Sequence, residues 1–508
     1  MPLAAKCMMS RSSATFTSLA VDLVLRVFQF LQPSDIISLR KTCKTLSELT
    51  KLRTVWISAL RSVMIKHCVS EATCPFQEMT LPLLEHVALA PHRLTSLVAR
   101  SDGATVLPMT IRVLSPRLTN AEKEMYGIQD NDGLYDSCVE PSGRFLASLS
   151  AYESFTLFTV WDLGLCGNDV IRPIARYLEE APVTLFLDGF NPGPQKSGAF
   201  YLVSANESSF LNPLSVLVHK VSMSAPVVMT FSAKLEIPIA APFIMPHTHQ
   251  VPGTCNLVAQ YDDDDGVINL WVWNFLANTA AAMAIIDHQS TGKETIQYYN
   301  DCIMIASDGC IRIYNLPPLL PRHSIVVPAE RKATIVIATP SMTFRSFFRG
   351  QDVAQNMPSY FAEITQSQVT IFEVAENNQF HNSNLPNKLP IAVGRIRLTD
   401  QVFWSQNQRF TNLRQCEDVL LLMGYSNADS ESGDLSVFGA DTDGIFGKGG
   451  GKLMKTIFAN ALVRQDVKGK QLCPTLGRVY IHTRRRAAPS RRGHCIYIFD
   501  YLAPPRNK

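Results

Sequence analysis

No two of the twelve cysteines stand as C-x-x-C, and they are spread one at a time from Cys7 to Cys495. The common zinc and dithiol signatures are therefore missing, and buried free thiols in a reducing compartment are expected. No run of 18 or more apolar residues occurs, so no helical membrane span is expected. Residues 1–17 lack the apolar core of a secretory leader, which makes them a flexible tail and points to cytosol or nucleus. An excess of one charge is missing too. Forty-seven Lys and Arg face 44 Asp and Glu, a net +3, so bulk electrostatics predicts no nucleic-acid partner.

Catalytic and ligand signatures are equally scarce. Asp262 to Asp265, before Gly266, lack the alternation of an EF-hand loop and place Trp273 at the twelfth position, so a hairpin turn is expected. The Gly447 to Lys452 stretch has no Gly five residues before either Gly-Lys pair, and neither Lys448 nor Lys452 precedes Ser or Thr. It reads as a loop rather than a phosphate cradle. His247 and His249 have no Cys, Asp or Glu nearby to complete a metal set, and they also read as loop. There is no G-x-S-x-G elbow. No metal, cofactor or catalytic residue is expected, and the chain reads as a non-enzyme.

What is present is apolar substance: 46% hydrophobic against 18% charged residues over 508 positions, enough for more than one folded domain. Near the N-terminus Leu19, Leu23, Val24, Val27, Phe28 and Leu31 fall at helical spacing. Pro33 stops that helix, and Ser34 can cap a second one carrying Ile36, Ile37, Leu39 and Cys43. Thr45 and Glu48 have capping-box spacing, which opens a third helix with Leu46, Leu49, Leu52, Val55, Trp56 and Leu60. A unit this small buries little surface alone, so a docking role is physically sensible.

The stretch from Ser18 to Trp56 resembles the F-box motif at Leu19, Asp22, Leu23, Val24, Val27, Phe28, Leu31, Pro33, Asp35, Ile36, Ile37, Leu39, Arg40, Cys43 and Lys44. It departs at Ala20, where the family usually has Pro. The resemblance implies binding to a Skp-type adaptor and through it to a cullin. Leu19, Leu23, Val24, Val27, Phe28, Leu31, Pro33, Ile36, Ile37 and Arg40 are then the expected contacts. Residues 18–66 are assigned to this domain and 67–103 to a helical linker. In the linker Thr80 and Pro82 open a helix that Pro91 is expected to interrupt.

From residue 104 to 508 the period changes to short strands separated by Gly, Pro, Asn, Asp and Ser. A strand-turn-strand unit recurs seven times, ending near Trp161, Val218, Trp273, Tyr314, Val374, Phe438 and Phe499. The separations of 57, 55, 41, 60, 64 and 61 residues suit four-stranded blades with long loops. The expected fold is thus multidomain: a small all-α hook and linker, then an all-β propeller of seven divergent blades. The unit closing on Trp161 and Asp162 looks most like a WD repeat, and the whole is similar to fungal-type F-box proteins with a propeller. A pair of β-sandwiches is the competing architecture.

The seventh unit carries Arg484, Arg485, Arg486, Arg491 and Arg492 within nine positions. Such a cluster suits carboxylate or phosphate oxygens, so an acidic or phosphorylated protein target is expected there. A solvated hairpin tip or a nuclear-import signal is the alternative. Three functions compete: a substrate receptor of a ubiquitin ligase, a scaffold acting outside one, or a propeller enzyme such as a hydrolase whose turnover the F-box controls.

Overall fold

The computed structural model describes residues 19–67, 69–115, 118–127, 134–152, 155–179, 185–191, 198–206, 214–224, 226–237, 247–250, 255–263, 266–289, 295–299, 302–307, 310–324, 328–338, 344–348, 359–364, 368–376, 388–397, 408–416, 419–426, 435–441, 453–458, 466–485 and 493–505. These divide into two compact units. One holds residues 19–63 and 76–89, the other 64–75 and 90–504. The stretch assigned to a linker is shared between them.

The helical unit starts with α1 (Val21–Phe28) and α2 (Pro33–Arg40). Pro33 does not end a helix but opens one, because its missing N–H costs nothing in a first turn. The cap position is consequently Gln32, with no side-chain bond, and Ser34 lies inside the helix. The expected third helix is two, α3 (Lys44–Leu49) and α4 (Arg53–Lys66), and Thr45 caps neither. The break falls at Thr50, whose carbonyl accepts bonds from Trp56 Nε1 at 2.7 Å and Arg40 Nη2 at 2.9 Å. Those side chains hold a carbonyl that a continuous helix would have used itself. A fifth helix, α5 (Leu81–Arg100), runs through Pro91 without interruption. Proline forfeits one backbone bond, but Val87, Ala88, Ala90 and Leu94 around it are buried, and that packing keeps the helix whole.

In the second unit a short helix, α6 (Asn120–Tyr126), begins on a Thr119/Glu122 capping box. Its strands form seven sheets among the described residues, each built on four antiparallel strands, with two short parallel additions. The first joins Leu134–Val139, Phe145–Ala151, Thr156–Asp162 and Arg172–Glu179. The second joins Leu185–Asn191, Ala199–Asn206, Leu214–Ser222 and Val228–Ile237. The third runs through His247–Gln250, Asn256–Asp262, Val267–Asn274 and Thr279–Gln289, with Leu320–Pro321 and Ala329–Arg331 on its rim. His247 and His249 are therefore on a strand and not in a loop. The fourth holds Thr295–Tyr299, Cys302–Ser307, Cys310–Asn315 and Ile335–Ala338; the fifth Phe344–Phe348, Ser359–Ile364, Gln368–Glu376 and Lys388–Arg397. The sixth holds Gln408–Cys416, Val419–Ser426, Leu435–Asp441 and Leu453–Phe458, the last paired in parallel with Thr105–Val106. The seventh takes Asp466–Cys473, Arg478–Arg485 and Gly493–Asp500, and its outer strand is Thr110–Leu114, from the start of the unit. Each of the seven strand pairs read from the sequence is an antiparallel pair within one sheet.

The sheets close into a circle in which, among the described residues, six of the seven junctions are apolar seams. Phe145 and Phe158 meet Phe190 and Phe200; Tyr201 and Val216 meet Trp271 and Trp273; Leu270 and Ile285 meet Ile303 and Ile305; Met304 and Ile311 meet Phe372. The inner strands Phe344–Phe348 and Gln408–Cys416 lie side by side, and Met423 and Val437 meet Val479 and Ile481. The last seam returns to the first sheet, where Tyr480 and Ile498 pack on Leu146 and Trp161. This is a β-propeller, not a sandwich pair, which would leave its first and last strands unjoined.

Candidate functional site

In α1 and its flanks the apolar residues form two stripes rather than one. Val24 and Phe28, each 2% exposed, and the buried Pro33 and Ile36 face inward. Leu19, Val21, Leu23, Val27 and Phe30 are 38 to 77% exposed, and Leu31 and Ile37 are half-buried. Leu23, Val27 and Phe30 recur at spacings of four and three, so they share a face about 100° from the buried one. A compact apolar row of this kind on a surface helix is the usual mark of a docking face. Ala20, ahead of the helix, has φ −57° and ψ 141°, the backbone a Pro would impose. Its carbonyl accepts the N–H groups of Leu23 and Val24.

Arg40 is committed within its own unit. Its guanidinium gives Nη1 and Nη2 to Glu85 of α5 at 3.0 and 2.8 Å, gives Nε to Thr50 Oγ1, and stacks over the Trp56 ring at 5.5 Å. Arg53 donates to the carbonyls of Phe76 and Met79, and Arg61 lies over the Phe76 ring. Three arginines thus fasten residues 76–89 to the short helices. The motif spacing gave no sign of this, because Glu85 is 45 residues from Arg40.

In the propeller, Arg484 and Arg485 end the second strand of the seventh sheet, opposite His494 and Gly493. Arg486, Arg491, Arg492 and the Gly447 to Lys452 stretch lie outside the described residues. Asp262 and Asp263 lead a hairpin turn in which Asp263 Oδ1 accepts the Val267 N–H at 2.8 Å and Gly266 takes φ +76°.

A network of buried ion pairs lies where the circle closes. Asp500 binds Arg112 from the closing strand through Oδ2 at 3.0 and 3.2 Å and Arg478 through Oδ1. Arg112 Nη1 also donates to the Leu163 and Asp169 carbonyls at 2.6 and 3.0 Å, and Arg478 Nη1 to those of Gly143 and Gly164 at 2.9 and 2.6 Å. The last sheet is thereby bolted to the loops of the first. A parallel pair, Arg144 with Asp162, is bidentate at 3.0 and 2.8 Å. Burial alone would raise the Asp162 carboxyl, but the hydrogen bonds and charge of Arg144 outweigh it and hold the carboxyl below its ordinary range. Sequence reading missed both clusters; the aromatic-Asp endings Trp161-Asp162 and Phe499-Asp500 in the first and last repeats are the signal that could have shown them.

Residues 16–58 match the F-box domain family. No curated protein matches the chain. Among solved structures, the WD40 domain of SCAP from fission yeast is similar at 11% identity, with 74% of this chain and 86% of that one covered and a TM-score of 0.37. The β-propeller domain of Cps50 (Swd1) from Myceliophteria thermophila is similar at 10% identity, with 73% and 97% covered and a TM-score of 0.41. No helix among the described residues is long and apolar enough to cross a membrane.

Proposed function

We propose that this chain is the substrate-receptor subunit of a Skp-cullin-F-box ubiquitin ligase. The observation that carries the proposal is the exposed row Leu19, Val21, Leu23, Val27 and Phe30 on the segment that matches the F-box domain. Of the adaptor contacts expected from the motif, Leu19, Leu23 and Val27 are open to a partner, with Leu31 and Ile37 at the margin. Val24, Phe28, Pro33 and Ile36 support that face from below, and Arg40 holds it in shape. Chemistry is left to other subunits: the receptor supplies proximity, which is itself worth a large fraction of a bimolecular barrier.

The target half of the proposal rests on the arginines Arg484, Arg485, Arg486, Arg491 and Arg492, whose forked donors suit an acidic or phosphorylated segment. Capture through them weakens with salt, since exposed charges are screened over about 8 to 10 Å near physiological ionic strength.

The test is co-purification. The intact chain should bring down a Skp-type adaptor together with a cullin and its ring subunit. Leu23→Asp, a change at an exposed position, should lower adaptor retention by about tenfold or more, the weight of a single central contact. A folded Leu23→Asp protein that keeps the adaptor at full yield removes this face from the interface. Adaptor without cullin would favour a scaffold acting outside a ligase.

A further inference from the structure

A guanidinium drawn partly out of water carries a desolvation cost that only a carboxylate, a carbonyl or another oxygen can offset. Among the described side chains of the β unit, Arg93, Arg112, Arg144, Arg176, Arg322 and Arg478 each have a carboxylate or carbonyl partner. Arg312 and Arg331 do not. Both are half-buried. Arg312 makes one bond, in which Nη1 donates to Ser307 Oγ at 3.4 Å; Arg331 makes none, and its Nε is buried. No ion pair joins either to a carboxylate among the described residues.

Both arginines belong to the junction of the third and fourth sheets. In Cys310–Asn315 the alternate residues Ile311 and Ile313 turn to Phe372 of the fifth sheet, so Arg312 and Tyr314 turn to the third. In the neighbouring strand Ser307 continues the side of Ile303 and Ile305 and is 2% exposed. Its hydroxyl lies 2.9 Å from Nε2 of His288, near the end of the third sheet's Thr279–Gln289. Arg331 stands level with Ile285 of that same strand. It alternates with the exposed Glu330 and Lys332 and shares its side with Ala333, which packs into the seam. The carboxylate of Asp287 is already taken, by the Tyr314 O–H at 3.1 Å and the Ala333 N–H at 2.7 Å.

We infer that this junction binds a phosphate monoester. The ligand is an anion, because what the two side chains leave unsatisfied is positive charge. It presents several oxygens, because the open donors come from two guanidinium forks on different strands, with the exposed Lys332 beside one of them. A carboxylate fills one such fork. A phosphate monoester carries a charge of about −1.5 to −2 and three acceptor oxygens, which serve both forks together. The Ser307 hydroxyl, bonded to His288, holds Arg312 by one nitrogen and leaves its remaining donors open. The inference is independent of the receptor reading, and the arginines of the seventh sheet take no part in it.

Calorimetric titration of the purified full chain tests it, with N-acetyl-O-phosphoserine amide, glycerol 3-phosphate, inorganic phosphate and the unphosphorylated serine amide as probes. At least one of the two esters is expected to bind and to raise the thermal midpoint, and the serine amide to do neither. Arg331→Gln should weaken ester binding about tenfold or more. Its ligand-free midpoint should match that of the intact chain, since this side chain makes no bond within it. Arg312→Gln should weaken binding as much, and Arg312→Lys, which keeps the charge without the fork, should fall between. Tighter binding of the phosphoserine amide assigns the ligand to a phosphorylated protein segment, and tighter binding of glycerol 3-phosphate to a small phosphate ester. The proposal is overturned if neither ester binds at millimolar concentration, if inorganic phosphate alone binds, or if Arg331→Gln and Arg312→Gln bind the esters as tightly as the intact chain.

Discussion

His219 should make the propeller acid-sensitive, and Glu140 should conceal the effect. His219 is fully buried in the third strand of the second sheet, with the rings of Phe158, Tyr177 and Phe231 at 4.7, 4.6 and 6.0 Å. Neither ring nitrogen has a hydrogen-bond partner among the described residues. Burial lowers its pKa from 6.5 to about 4. Tyr177, the titratable group among those rings, is pushed up by burial and stays neutral. The folded value of His219 lies below the unfolded one, so its stability contribution is complete above 6.5 and is lost as pH falls towards 4. That interval corresponds to about 3 kcal/mol. Glu140 has the opposite sign. Burial raises its carboxyl from 4.5 to about 7, against the Ser142 hydrogen bonds and the Arg144 charge. Its contribution is complete below 4.5 and is lost as pH rises through 7, again by about 3 kcal/mol. Between 4.5 and 6.5 the two slopes oppose and nearly cancel in the intact chain. His219→Phe removes one slope and should make the protein lose stability from about pH 5 to about pH 7, while Glu140→Gln should make it gain over the same interval. Thermal midpoints of the three proteins, at matched ionic strength, measure this. A His219→Phe protein with the pH dependence of the intact chain refutes the reasoning.

Asp500→Ala leaves Arg112 and Arg478 buried without their carboxylate and should cost about 3 to 5 kcal/mol, read as a lowered midpoint of the β unit. Arg40→Lys cannot reproduce the fork to Glu85 or the stack on Trp56; a loss of about 1 to 3 kcal/mol is expected, read as earlier proteolysis within residues 19–89. Ala20→Pro places a ring where the backbone already has its dihedral, and should stabilise the helical unit by about 0.4 to 1 kcal/mol in a thermal scan.

The amphipathic helix at residues 19 to 31, the motif around Pro33 and the seven strand pairs were all legible in the sequence. Each is written in spacings of two to four residues, which act between neighbours along the chain. The division of the α1 residues into two stripes was not, because Leu23 and Val24 are equally apolar and only a packed neighbour decides which is covered. The same holds for Pro33 as a helix start, the break at Thr50 and the unbroken passage through Pro91. There the partners are Trp56, Arg40 and buried side chains rather than local propensity. Closure of the circle is the extreme case. Arg112 and Asp500 are 388 positions apart, and nothing in either neighbourhood announces the other. The sequence by itself determined the repeating unit and the amphipathic first helix; the tertiary structure alone decided how the circle is locked. Periodicity is a property of a few consecutive residues, whereas closure exists only once every seam between them has formed.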